Sequence, residues 1–167
     1  MPSLTKNKAY TDSYLKSHEN DLIVLVKTPE KQELISVKNN QWPDDIDFTI
    51  NILRDNEHRI IFIALIPYSE SGDWNVKCQY YFDKQGNIYA FYKEESVFGG
   101  EDRTGDVVRS LLLKYYDSDF NLINSKNWIT DTHYKKIKSN IHHFDFPDFN
   151  YRIYKNLDEF ITAYNLH

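Results

Sequence analysis

The residues best suited to chemistry form one short cluster near the C-terminus. His142, His143 and Asp145 are the clustered histidines and carboxylate of this chain. In an extended segment His143 and Asp145 share a face, while His142 points to the other side. A zinc site takes four protein donors, or three and a water molecule, which is more than this shared face supplies. A metal-assisted hydrolase that uses these residues is therefore the last of the three functions that we consider below. We predict that the protein holds no metal and no cofactor.

Two further features could carry chemistry, and each favours a non-catalytic role. The segment 98–106 holds three of the five glycines, and glycines let a backbone approach a ligand closely. Its acidic residues Glu101, Asp102 and Asp106 repel phosphate, so the segment is predicted to be a hairpin loop, with a partner contact as the alternative. Cys78 alternates with apolar residues and is predicted to be a core thiol. These features lean away from an enzyme.

The composition predicts a folded domain and limits its partners. The chain has 167 residues, of which 41% are hydrophobic and 16% aromatic, enough to form one core. A net charge of −5 disfavours a nucleic-acid binder, which normally presents a basic patch, and suits a basic partner. No stretch approaches the ~20 apolar residues of a membrane span.

The first residues carry no targeting signal that fixes a compartment. The segment 1–8 lacks the apolar core of a signal peptide. The expected location is therefore either the cytoplasm or an exported site reached after removal of a signal. The oligomeric state is not predicted by the sequence.

Strands must position most of the candidate residues. The apolar run 60–66 predicts a central strand covered on both faces. Residues 107–116 suit a helix or a strand, and strand is favoured because the next residues repeat the turn pattern of the hairpin 75–93. In that hairpin, alternation predicts one buried set and one opposite set. The buried set is Val76, Cys78, Tyr80 and Phe82, and the opposite set is Lys77, Gln79 and Tyr81.

Helices are predicted at both ends of the chain. Helical spacing of aromatic residues predicts a helix over about 9–19, after a polar tail at 1–8. Asn156 is a good N-cap for a C-terminal helix with an apolar stripe. The fold class is therefore α+β, an antiparallel β-meander sheet that can curve strongly, flanked by the two helices. Residues 9–167 are predicted to form this single domain.

The binding hypothesis centres on tyrosines of the hairpin 75–93. Tyr81 and Tyr92 are predicted to form an exposed aromatic centre, and Glu101 and Asp102 a charged rim, as in many protein interfaces. The sequence therefore predicts a non-catalytic protein-binding domain, either an inhibitor or an immunity-type partner of a basic protein. The second hypothesis is a small-molecule carrier with an apolar cavity in a curved sheet, and the third is the metal-assisted hydrolase. A protein partner is expected, and no nucleic acid.

Overall fold

A computed structural model describes residues 2–98, 107–137 and 149–166 of the chain. In these ranges one antiparallel sheet contains eight strands in the order β2-β1-β3-β4-β5-β6-β7-β8. A helix lies at each end of the chain, so the predicted α+β meander with two flanking helices is confirmed. The helices are α1 (Pro2–Ser17) and α2 (Leu157–Tyr164), and the strands are β1 (Ile23–Lys27), β2 (Ile35–Ser36), β3 (Phe48–Arg54), β4 (Ile60–Pro67), β5 (Trp74–Phe82), β6 (Ile88–Phe98), β7 (Val107–Tyr116) and β8 (Leu122–Thr130).

Each face of the sheet is covered by one helix. On the α2 face, the ring of Tyr80 lies 5.0 Å from that of Phe160, which is fully buried. On the α1 face, Phe62 and Tyr81 pack edge to face at 5.2 Å beneath α1. This double cover explains why β4 is apolar on both sides, as predicted for a central strand.

The N-terminal helix is longer than the sequence predicted. α1 begins at Pro2 and ends at Ser17, so the segment 1–8 is not a tail but is helical from Pro2 onward. Proline suits the first position of a helix because its φ is fixed near the helical value and its missing N–H needs no partner there. The added turns place the Lys8 ammonium over the rings of Tyr81 and Tyr92 on the sheet.

The turn pattern recognised in the sequence is a real structural repeat. Asp83 Oδ1 accepts the backbone N–H groups of Gln85 and Asn87, both at 2.9 Å. Gly86 takes a φ of 80°, which glycine reaches at no steric cost. Side-chain bonds of this kind favour turns over strand continuation. The same carboxylate arrangement recurs at Asp55, Asp117 and Asp131.

The sheet therefore has two different ends. The turns 55–59, 83–87 and 117–121 lie at one end, here called the turn end. The β4–β5 connection and the strand ends at Phe98 and Val107 lie at the opposite end, here called the loop end. The segment 107–116 is strand β7, as predicted, and it runs between these ends.

Candidate binding surface

Tyr81 lies on the predicted face of β5, but it is not exposed. Its side chain is 1% exposed, and its hydroxyl donates a 2.8 Å hydrogen bond to Asp12 Oδ1 of α1. Burial is the main reason why the pKa of the Tyr81 hydroxyl lies far above its usual range, and the nearby Asp12 carboxylate raises that pKa further. The prediction of an exposed Tyr81 is therefore wrong, because α1 covers the face that the sequence marked as polar.

Tyr92 lies at the margin of this cover and is partly buried. Lys8 Nζ of α1 is 4.5 Å from the ring centroid of Tyr81 and 5.2 Å from that of Tyr92, both within cation–π range. The structure thus brings the two predicted tyrosines together under one ammonium group. Of the pair, Tyr92 is the one that borders the part of the sheet beyond α1.

The other predicted site residues lie outside the described ranges. Glu101 and Asp102 belong to the β6–β7 connection, and the His142, His143 and Asp145 cluster belongs to the segment before residue 149. Phe98 and Val107 flank the β6–β7 connection and pair with each other across the two strands. The predicted partner loop therefore leaves the sheet at a defined point.

An ion pair next to Tyr92 links β6, β7 and the turn that follows β8. Arg109 Nε lies 3.2 Å from Glu94 Oε1, and both side chains are less than one-fifth exposed. The Tyr134 hydroxyl donates a 3.1 Å hydrogen bond to the same oxygen, and the Arg109 guanidinium lies 4.6 Å from the Tyr134 ring centroid. Such charge-assisted contacts hold their partners in one geometry. This surface is therefore preorganised on strands rather than on a free loop.

A hollow of about 460 Å³ lies at the loop end, next to Arg109. Its rim carries two exposed aromatic residues, Tyr68 at 53% and Phe98 at 56%. Large apolar side chains left in water beside a concave surface are typical of interaction sites. We call this site the loop-end hollow; its main lining residues are Ile66, Tyr68, Trp74, Phe98, Val107 and Arg109.

Three exposed carboxylates lie near the Tyr68 side of the loop-end hollow. Glu70 and Asp73 lie in the β4–β5 connection that begins with Tyr68, and Asp73 also lines the hollow. The Tyr68 N–H donates to the Asp47 carbonyl at 2.9 Å, which places exposed Asp47 beside it. Within the described residues no ion pair involves these three acids. No described residue therefore neutralises their charges.

Among the described residues, neither a reactive thiol nor a metal-binding cluster is found at this surface. Cys78 is fully buried on the α2 face, and desolvation raises its pKa to about 12, so the thiol stays protonated and unreactive near neutral pH. Among the described residues, no group of three or more His, Cys, Asp or Glu converges on a possible metal position. In the described part of the chain, no helix is both long enough and apolar enough to cross a membrane. Within the described residues, the loop-end hollow presents exposed aromatic side chains and carboxylates.

Comparison with known proteins adds no functional information. No family model matches this chain, and neither a curated protein nor a solved structure shows significant similarity to it.

Sequence reasoning missed the residues that form the loop-end hollow. Tyr68 and Phe98 are distant along the chain and meet only because β4, β5 and β6 are neighbours in the sheet. A usable signal was present, since Tyr68 follows the strand-ending Pro67 and Phe98 directly precedes two glycines. An aromatic residue at or just after the last position of a strand, next to a breaker, is placed at the sheet end rather than in its core.

Proposed function

We propose that this chain is a non-catalytic protein-binding domain, an inhibitor or immunity-type partner of a basic protein. The observation that carries the proposal is the loop-end hollow, where exposed Tyr68 and Phe98 stand beside carboxylates that form no ion pair within the described residues. Aromatic anchors in a pocket supply much of the binding energy at protein interfaces, and surrounding charges speed encounter.

Charge supports a basic partner. Asp47, Glu70 and Asp73 are exposed without an ion pair among the described residues, and the chain as a whole carries a net charge of −5. By sequence, the connection 99–106 adds three acids and one arginine next to Phe98. Complementary fields steer association and weaken with added salt. The proposed contact therefore includes Glu101 and Asp102 together with the hollow.

The rigidity of the surface also suits binding. Glu94 and Tyr134 hold Arg109, a lining residue of the hollow, through an ion pair and a hydrogen bond that share the Glu94 Oε1 atom. A preorganised surface loses little conformational freedom when a partner docks. Tyr92 borders this group and belongs to the proposed contact, whereas Tyr81 supports it from beneath α1.

The carrier and hydrolase alternatives have weaker support. Large aromatic rings, including Tyr80, Phe91 and Phe160, fill the space between the sheet and α2, so no room for an enclosed apolar ligand is left among these rings. The hydrolase alternative depends on a cluster outside the described residues. Neither alternative explains the exposed aromatic residues at the loop end.

Affinity capture tests the proposal. The purified protein is immobilised and exposed to lysate of its source cells, and bound proteins are eluted with a salt gradient. We expect one predominant protein of basic isoelectric point, eluting at moderate salt because the charged rim contributes to binding. Recovery of only acidic proteins, or binding that does not change with salt, would argue against a basic partner.

A matched pair of variants ties the captured protein to the site. Phe98→Ser removes an exposed ring of the loop-end hollow, and Tyr10→Ser removes an exposed ring of α1 outside it. We expect capture to be lost with Phe98→Ser and retained with Tyr10→Ser. Equal capture by both variants would place the contact elsewhere.

A further inference from the structure

Another hollow, of about 360 Å³, lies at the turn end of the sheet, between α1 and the turns that begin at Asp55 and Asp83. We call it the α1 hollow. Its base is formed by Ile61, Phe82 and Tyr89, of which the last two are 2% and 6% exposed. Its volume is in the range of small-molecule sites, which combine an apolar base with a few polar groups.

The walls of the α1 hollow are fixed by side-chain contacts. The Tyr14 hydroxyl of α1 donates a 3.0 Å hydrogen bond to Asn56 Oδ1, which ties the helix to the turn. The Arg59 guanidinium donates to Asp55 Oδ2 through Nε and Nη2, at 2.9 and 2.7 Å. The ring of Tyr10, which is 67% exposed, lies 6.2 Å from that of Tyr14. An exposed ring beside walls that are already held in place is a surface on which a flat ligand can stack.

Two buried hydroxyl groups at the base of the α1 hollow share one hydrogen bond. Thr11 Oγ1 and the Tyr89 hydroxyl oxygen are 3.0 Å apart, and the two residues are 5% and 6% exposed. Each hydroxyl carries one proton, and a single proton lies between the two oxygens. Within the described residues the pair makes no other side-chain hydrogen bond. A ligand with an acceptor atom would satisfy the second proton.

The carboxylates that line the α1 hollow already accept hydrogen bonds within the protein. Asp55 accepts four, two from backbone N–H groups and two from Arg59. Asp83 Oδ1 accepts two backbone N–H groups of its own turn, and Glu57 Oε2 lies 2.7 Å from Arg59 Nη1. Lys84 is exposed, and within the described residues its ammonium group forms no ion pair. Such an ammonium group favours a carboxylate on the ligand.

We propose that the α1 hollow binds a small aromatic carboxylate. The ring of the ligand packs on the apolar base and against Tyr10, its carboxylate pairs with the Lys84 ammonium, and a ring hydroxyl accepts the second proton of the Thr11–Tyr89 pair. The α1 hollow and the loop-end hollow lie at opposite ends of the sheet. This inference therefore does not depend on the proposed function.

Titration with 4-hydroxybenzoate, followed through the amide NMR signals of the isotope-labelled protein, tests the site. We expect saturable shifts at Ile61, Lys84 and Tyr89, with a Kd on the order of 1 mM, as for other ligands of this size. The uncharged 4-hydroxybenzyl alcohol should bind about tenfold more weakly, and acetate, which lacks the ring, should leave these signals unshifted. The proposal is overturned by equal binding of the acid and the alcohol, by equal shifts with acetate, or by no shift of these signals up to about 20 mM 4-hydroxybenzoate.

A matched pair of lysine variants assigns the charge. Lys84→Gln removes the ammonium group that lines the α1 hollow, and Lys31→Gln removes an exposed lysine that does not line it. Lys84→Gln should weaken binding of 4-hydroxybenzoate about tenfold and leave binding of the alcohol unchanged, while Lys31→Gln should alter neither. Parent-like affinity of Lys84→Gln for 4-hydroxybenzoate would overturn the proposal.

A blocking variant assigns the place. Asn7 is exposed on α1 and lines the α1 hollow, so Asn7→Trp puts a large side chain into it without disturbing the core. This variant should lose the shifts caused by 4-hydroxybenzoate and keep the melting temperature of the parent. Unchanged binding by a folded Asn7→Trp protein would show that the ligand lies elsewhere. Should Asn7→Trp fail to fold, the comparison of the two lysine variants decides by itself.

Discussion

The Tyr81 hydroxyl on β5 donates a 2.8 Å hydrogen bond to the Asp12 carboxylate on α1. The second oxygen of Asp12 accepts from Lys8 Nζ at 2.8 Å, and that ammonium lies over the Tyr81 ring. A tyrosine that resembles a binding residue in the sequence is therefore the docking point of a helix. α1 holds the aromatic face of the sheet through polar contacts as well as through its few apolar side chains.

Removing the Tyr81 side chain should destabilise the fold rather than weaken binding. Tyr81→Ala should lower the free energy of unfolding by about 3–5 kcal/mol, as for other large buried rings. Tyr81→Phe, which loses only the hydrogen bond to Asp12, should cost about 0.5–1.5 kcal/mol. Urea denaturation measures both, and the exposed Tyr68→Ala should stay within about 0.5 kcal/mol of the parent. A Tyr81→Ala protein as stable as the parent would show that α1 does not bury this ring.

The N-cap of α2 should be worth a measurable part of the stability. The Asn156 side chain accepts the Glu159 N–H at 3.0 Å, which satisfies one of the free donors of the first turn. Asn156→Ala should therefore cost about 1 kcal/mol, while Asn156→Asp, which keeps the acceptor, should cost little. Thermal denaturation of the two variants makes the comparison. Equal losses of stability in the two variants would indicate that the side-chain amide group stabilises the protein in another way than through the hydrogen bond that caps α2.

Stability should decrease in acid through the turn carboxylates. The backbone N–H of Asn121 donates a hydrogen bond to the Asp117 carboxylate, and so does the Asn121 side-chain amide. Both hydrogen bonds lower the pKa of the Asp117 carboxyl, and the backbone one has the larger effect. A carboxyl whose pKa is lowered in the folded state stabilises the fold above the unfolded pKa of about 3.9, and that stability is lost as the pH falls through the folded pKa. Asp117→Asn should therefore melt lower than the parent at neutral pH, with the difference shrinking in acid. A difference that stays constant down to about pH 2 would contradict this origin.

Cys78 should be unreactive until the protein unfolds. Its side chain is fully buried, and burial raises its pKa to about 12. Very little thiolate is then present near neutral pH, and the thiolate is the reactive form. Labelling with a thiol reagent should be slow in buffer and fast in denaturant. Rapid labelling of the native protein would show that β5 opens at this position.

The sheet was largely predictable because its signals are local. Alternation from Val76 to Phe82 correctly identified the buried face of β5, and the repeated Asp turns correctly favoured a strand at 107–116. Each signal depends on neighbours in the chain, where side-chain direction and turn chemistry are fixed by the backbone itself.

The failures came from contacts between distant residues. Alternation along β5 groups Tyr81 with Lys77 and Gln79 and so predicts exposure, but α1 covers that face. The sequence signals this cover weakly, because the buried residue of α1, Thr11, is polar and shares a 3.0 Å hydrogen bond with the Tyr89 hydroxyl. A helix that docks through polar groups gives little periodic signal. The loop-end hollow was missed for a similar reason, since register, not sequence spacing, brings Tyr68 near Phe98.

The central claim is that the loop-end hollow binds a protein partner. The most direct measurement is titration calorimetry of the captured partner against the parent, Tyr68→Ser, Phe98→Ser and Tyr10→Ser. Loss of either rim ring should weaken binding by about 1–2 kcal/mol or more, close to tenfold, while Tyr10→Ser should bind like the parent. Melting temperatures of all four proteins should agree, because these rings are exposed. Parent-like affinity of both rim variants would contradict the assignment of the binding surface.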